Sequence, residues 1–181
     1  MTSSSTKQRA QDLHLGVGLG LLRVACRLAI WPTRSSRMTT SSRWRSAVRA
    51  SAWRRSDPST NDADHRAWMS SIEHIRATPG FSTWRWPPDE GMSPEENLRD
   101  LRRHADDFER RVGFTYTLLD DEDVVVGCVY IYPSRAAPDI TEVRSWVTAS
   151  RAQLDSVLHE SVDSWLAADW PFTDVRYRNR V

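Results

Sequence analysis

Glycine is scarce in this chain and stops early. The seven glycines stand at positions 16, 18, 20, 80, 91, 113 and 127, so the last third lacks the one residue that enters φ > 0 without strain. Cysteine is scarcer: Cys26 and Cys128 alone exclude a disulfide scaffold and a four-thiolate zinc site. The five histidines (14, 65, 74, 104 and 159) never fall three or four residues from one another or from a cysteine, so no metal site is expected. No long apolar run exists either. The best stretch, Leu13 to Trp31, is broken by Arg23 and Arg27, whereas a spanning helix needs about 20 apolar residues. The same arginines spoil a secretory signal, so a cytoplasmic protein with no membrane partner is expected.

Acidic residues are missing between Asp12 and Asp57, and this absence divides the chain. Residues 1–60 hold 11 basic and two acidic side chains with 11 serines, whereas residues 61–181 hold 14 arginines and 22 acids. Lysine occurs once, at Lys7, against 24 arginines. Gly16, Gly18 and Gly20 imitate a dinucleotide-binding turn, but Leu21 stands where the third glycine belongs. From Arg34 to Arg55 the chain reads as Arg, Ser and scattered Trp. Three readings stay open for it: phosphate contacts and base stacking on a nucleic acid, a transit peptide, or an unstructured extension with a later start at Met38. No helical or strand period organises the charges, which favours the extension and argues against nucleic acid as a partner.

Regular patterning begins at residue 61. Asp62 or Asp64 is placed to cap a helix carrying Trp68, Ile72 and Ile75, ended by Pro79-Gly80. A Trp/Pro-rich loop follows through Pro88 and reads as a pocket lid, a core cap or a subunit contact. Ser93-Pro94-Glu95-Glu96 is a capping-box start for a second helix, with Leu98, Leu101, Ala105 and Phe108 on its buried face, Arg99, Arg102, Arg103, Asp106 and Asp107 toward water, and Gly113 as its stop. Residues 114–119 and 124–132 read as a hairpin about the acidic turn Asp120–Asp123, with Cys128 a buried thiol and Tyr130 and Tyr132 in a cleft or core. Residues 141–148 form a third strand, a long amphipathic helix follows, and 173–177 form a last strand parallel to the third. The expected architecture is α/β with a mixed, mainly antiparallel sheet flanked by helices, in a domain over 61–181 behind a disordered basic extension over 1–60.

This order of elements, with VVVGCVY and a strand running into a long helix, resembles a GNAT-type N-acetyltransferase domain. The segments TPGFS, EENLRDL, FTYTLLD, GCVYIYP, VRSWV and DSWLAADWPF are similar to those of bacterial members, and the resemblance covers about residues 62–178. It implies acetyl transfer from acetyl-CoA to a small-molecule or peptide amine. It implies that Trp146, Val147 and Thr148 lie beside the thioester and that Glu142 is the general base. It also implies that the pyrophosphate loop runs from Arg151 through Ala152, Gln153, Leu154 and Asp155 to Ser156, with Leu154 and Ser156 where the family's loop has glycines. Other classes remain: a non-catalytic module of the same fold, or nucleic-acid binding through the basic arm. The chain ends just after the last strand, so an open sheet edge, and with it a homodimer or a covering segment, is expected.

Overall fold

A computed structural model of the chain describes residues 52–83 and 85–177. Five strands make one sheet in the order β1-β2-β3-β4-β5. They are β1 (Ala52–Arg55), β2 (Phe114–Leu119), β3 (Val125–Pro133), β4 (Thr141–Val147) and β5 (Val175–Tyr177). The first four pair antiparallel, and β5 joins β4 in parallel. The helices are α1 (Asn61–Met69), α2 (Ile72–Ala77), α3 (Pro94–Glu109) and α4 (Asp155–Asp169).

Local chemistry explains most of these boundaries. Ser93 Oγ accepts from Glu96 N–H at 3.2 Å while the Glu96 carboxylate accepts from Ser93 N–H at 2.8 Å, and Pro94 occupies the first turn of α3. The β2–β3 turn is tied by Asp120 Oδ1, which accepts from Glu122 N–H and Val124 N–H, and Asp123 takes the left-handed φ of 58°. The β4–α4–β5 unit has the parallel pairing expected of it, with Thr141 opposite Val175 and Val143 opposite Tyr177.

The sheet separates two apolar layers. On one face Trp68, Ile75 and Phe81 pack against Leu119, Val125, Cys128 and Trp146. The other face is served by α4, whose Leu158, Val162 and Leu166 are buried, as are the alternate strand residues Val129, Ile131, Val143 and Val147. Gly127 is needed where β3 meets β4, because a Cβ there would lie 2.4 Å from the Trp146 carbonyl oxygen.

Three expectations are corrected. The boundary at residue 60 falls inside folded structure: β1 pairs with β2 from Ala52↔Leu119 to Arg55↔Tyr116, and Trp53 meets Trp165 edge-on at 5.5 Å. A four-residue strand with two arginines carries too little alternation to be read from sequence. Residues 1–51 of the basic segment lie outside the described residues. Second, the single helix expected from 62 to 78 is two, broken at Ser70-Ser71, where Ser70 Oγ bonds back to the Ala67 carbonyl. Neither Asp62 nor Asp64 caps it. Asp57 instead caps the 3-10 turn Pro58–Thr60, and Asp64 lies within α1, buried. Third, α3 ends at Glu109 with Arg111 at φ 57°, before Gly113, whose missing side chain makes room for the Tyr132 ring.

Candidate active site

Between α1, α3, the loop after α2 and the near face of β3 and β4 lies a cavity of about 620 Å³. Phe81, Trp86 and Tyr130 form its aromatic wall, with Trp86 6.0 Å from Tyr130 and Phe81 6.3 Å from Tyr130 between ring centroids. The Trp/Pro loop therefore both caps the core and lines the cavity; Trp84 lies outside the described residues. Cys128 lies in the lining, and burial pushes its thiol far up, so it is protonated at neutral pH.

Two polar groups in this wall escaped the sequence reading. The first is a chain of hydrogen bonds from His104 through Tyr132 to Asp107. Tyr132 Oη has one hydrogen and three neighbours within hydrogen-bond reach, His104 Nδ1 at 2.7 Å, Asp107 Oδ2 at 3.3 Å and Thr115 Oγ1 at 3.3 Å. The short contact joins the imidazole to the phenol, with donor and acceptor set by the ring's tautomer. Burial, with Arg103 nearby, lowers the His104 pKa to about 4, so the ring is neutral at pH 7 with a lone pair on one nitrogen. The ring lines the cavity.

The second is Asp64. Its Oδ2 accepts from Asn97 Nδ2 at 3.0 Å, and Asn97 Oδ1 in turn accepts from the indole N–H of Trp68 at 2.9 Å. Burial raises the Asp64 pKa to about 6, with the Asn97 hydrogen bond and His65 opposing the rise.

These shifts oppose each other. Between about pH 4 and 6 the folded chain keeps a proton on Asp64 that the unfolded chain, at 3.8, has lost, so ionised Asp64 destabilises the fold above pH 6. Between about pH 4 and 6.5 the unfolded chain instead protonates His104 while the folded chain does not, so falling pH destabilises the fold through this group. We expect Asp64→Asn to be more stable than the parent at pH 7, by at most ~2–3 kcal/mol. That advantage should vanish as pH falls from about 6 to about 4, read as urea midpoints across the series. An advantage independent of pH contradicts the assignment.

Of the catalytic and cofactor-binding residues expected from the resemblance, Glu142 alone lines the cavity. It is held at both oxygens, by Ser134 Oγ at 2.8 Å and Arg144 Nη2 at 2.6 Å. Trp146 and Val147 are wholly buried and Thr148 nearly so. The pleat also separates their backbones. Thr148 N–H donates to the Val126 carbonyl, so by antiparallel alternation Trp146 and Thr148 turn their amides toward β3. Only Val147 of the three, with Ser145 before it, turns its amide toward the β5 side, where the described pairing ends at Val143↔Tyr177.

The expected pyrophosphate loop is a 3-10 segment, Ala149–Leu154, leading into α4. Ala149 N–H is taken by Ser71 Oγ at 3.0 Å and Arg151 N–H by the Thr148 carbonyl at 2.8 Å. The Arg151 guanidinium pairs with Asp120 at 3.1 Å while staying 43% exposed, and Asp155 sits 3.0 Å from His74 Nε2. Ala152 and Leu154 are half-buried; Gln153 and Ser156 face solvent. A glycine-free loop has closed on itself, and Arg151 is its half-exposed cationic arm.

The chain was compared with known proteins. No protein-family model matches it, and no curated protein does. Solved structures do. RimL, a ribosomal L7/L12 alpha-N-protein acetyltransferase in complex with coenzyme A, superposes at a TM-score of 0.54 with 15% identity, over 72% of this chain and 69% of that one. The fold is that of the GNAT-type N-acetyltransferases. A crystal form of RimL without ligand agrees, at a TM-score of 0.53 and 14% identity over 72% of this chain, which spans 66% of that protein. In this GNAT fold the cavity opens on the helical face of β3 and β4, and among the described residues no helix is long and apolar enough to cross a membrane.

Proposed function

We propose that this chain transfers the acetyl group of acetyl-CoA to an amine held in the cavity. The carrying observation is the neutral His104, joined to Tyr132 and through it to Asp107, in the wall of an aromatic pocket on the GNAT fold.

In this reading the thioester lies at the β5-side edge of β4, where the Val147 amide polarises its carbonyl, Trp146 and Thr148 supporting from within the sheet. Arg151 leaves Asp120 to meet the pyrophosphate, doing by charge what glycine amides do elsewhere. Ala152, Gln153 and Leu154 shape the approach, Ser156 stands at the start of α4, and His74 Nε2 lies 3.0 Å from Asp155. The amine nitrogen forms a bond to the carbonyl carbon, and its proton passes to the unprotonated nitrogen of the His104 ring. The C–S bond then breaks, and the departing thiolate takes up the proton that His104 received. Glu142, tied to Arg144, shapes the mouth of the pocket rather than taking that proton.

The closed loop favours a second reading, a GNAT-fold module that binds a ligand without catalysis. Thermal unfolding of the full chain with acetyl-CoA separates the two. At a hundredfold excess over the dissociation constant the ligand adds about 2.7 kcal/mol, and Arg151→Ala should reduce the shift. No shift at millimolar acetyl-CoA rejects the acetyltransferase reading.

A further inference from the structure

The loop between β4 and α4 carries a single cation, Arg151, and that cation already holds a carboxylate. Arg151 Nη2 donates to Asp120 Oδ2 at 3.1 Å, across 31 residues of sequence. The two meet because the start of β3 runs beside the end of β4, with Gly127 opposite Val147. The backbone leaves an anion little else here. Ala149 N–H is taken by Ser71 Oγ, Arg151 N–H by the Thr148 carbonyl and Asp155 N–H by the Ala152 carbonyl. An anion approaching the loop therefore has the Arg151 guanidinium to meet, and finds it occupied.

The two halves of this pair are unequally fixed. Asp120 belongs to the β2–β3 turn, and its Oδ1 accepts from Glu122 N–H at 3.1 Å and Val124 N–H at 2.9 Å. Its own N–H donates to the Val124 carbonyl, its carbonyl accepts from Asp123 N–H, and its side chain is 17% exposed. The turn thus sets the direction of the carboxylate. Arg151 stands where the 3-10 segment breaks, at φ −119° and ψ 21°, and among the described residues its guanidinium has no other hydrogen bond. Asp120 is the anchored half, and Arg151, on its long stem, is the half that can leave.

We infer that Asp120 is a built-in stand-in for phosphate, which competes with the pyrophosphate of acetyl-CoA for Arg151 and so sets the affinity of the loop. The inference rests on the acetyltransferase reading for the identity of the anion. Two effects act in the same direction. The pair must open before Arg151 can turn to the ligand, and the closed fraction is lost to binding. A half-exposed ion pair of ordinary strength keeps the open form at roughly a fifth of the population. The anchored carboxylate then remains close by and repels the incoming phosphates.

The test is calorimetric titration of the full chain with CoA, in the parent, Asp120→Asn, Arg151→Ala, the double variant and Asp121→Asn. Asparagine keeps the Oδ1 acceptor for the two turn amides; Asp120→Ser, whose hydroxyl also accepts from them, replaces it should Asp120→Asn fail to unfold cooperatively. Removing the Asp120 charge should tighten CoA binding by about three- to tenfold and lower KM for acetyl-CoA with kcat unchanged. Asp121→Asn makes the same charge change one residue along, on an exposed side chain, and should change binding by less than about twofold. In the Arg151→Ala background the Asp120 substitution should likewise do almost nothing. Unchanged binding in Asp120→Asn overturns the inference, and so does weaker binding, which would mean that the carboxylate orients Arg151 for the phosphate. Equal tightening by Asp121→Asn, or tightening that persists without Arg151, also overturns it by reducing the effect to general charge. CoA that binds to none of these proteins rejects the acetyltransferase reading as well; CoA that binds without regard to Asp120 rejects this inference alone.

Discussion

Replacing His104 by alanine should lower kcat by about 10²- to 10³-fold, the range in which a positioned general base contributes. Of the other described groups in the cavity wall, Tyr130 and Cys128 are held protonated by burial and Glu142 is occupied by Ser134 and Arg144, while Asp64, raised to about 6, is a remaining proton acceptor. Two accompanying effects separate catalysis from damage to the pocket. KM for acetyl-CoA should stay unchanged, because Arg151 and the β4 edge are intact. The deficit should also shrink at alkaline pH, where the amine loses its proton to water before it binds. Tyr132→Phe is expected to be milder, about tenfold, since it removes the oxygen that orients the imidazole at 2.7 Å but leaves the His104 ring. Steady-state kinetics from pH 7 to 10 read all three; a uniform deficit across that range would mean that His104 only shapes the pocket.

Trp68→Ala should be the most damaging change to the fold, costing about 3–5 kcal/mol. The side chain is 1% exposed, stands edge-on to His65 at 5.3 Å and packs at 5.7 Å against Trp86. Its loss opens a cavity between α1 and the sheet and strips Asn97 Oδ1 of its donor. Domains of this size are stable by about 5–15 kcal/mol, so much of the stability disappears with one residue. Trp68→Phe keeps most of the packing and should cost about 1–2 kcal/mol, chiefly the unpaired amide oxygen. Urea unfolding measures both. A Trp68→Ala cost below about 1 kcal/mol would contradict the packing described for α1.

What was legible in the sequence was local. The capping box at Ser93, the acidic hairpin turn and the parallel β4–α4–β5 unit each rest on residues within one element or its immediate neighbour. The arrangement that carries the chemistry is not local. Tyr132 is 28 residues from His104, and Asn97 is 33 from Asp64. Reading α3 by its apolar residues put Asp107 in water; the structure puts it half-buried at the end of a hydrogen-bond chain, and buries Asn97 on the same helix. His104 had been weighed only for metal-ligand spacing. A usable signal was present: Asn97, His104 and Asp107 recur at seven and three residues, a polar stripe beside the apolar one, which on a buried helix marks a lined cavity. The backbone roles of Trp146, Val147 and Thr148 depend on strand alternation, which cannot be assigned until the pairing register is known.

The most direct test of the account is release of free thiol from acetyl-CoA by the full chain, followed continuously with a panel of primary amines as acceptors. We expect amine-dependent thiol release with one acetyl group transferred per thiol, reduced about 10²-fold or more by His104→Ala. Thiol release at the same rate with and without the amine, or none from a protein that binds both ligands, would contradict acetyl transfer in this cavity.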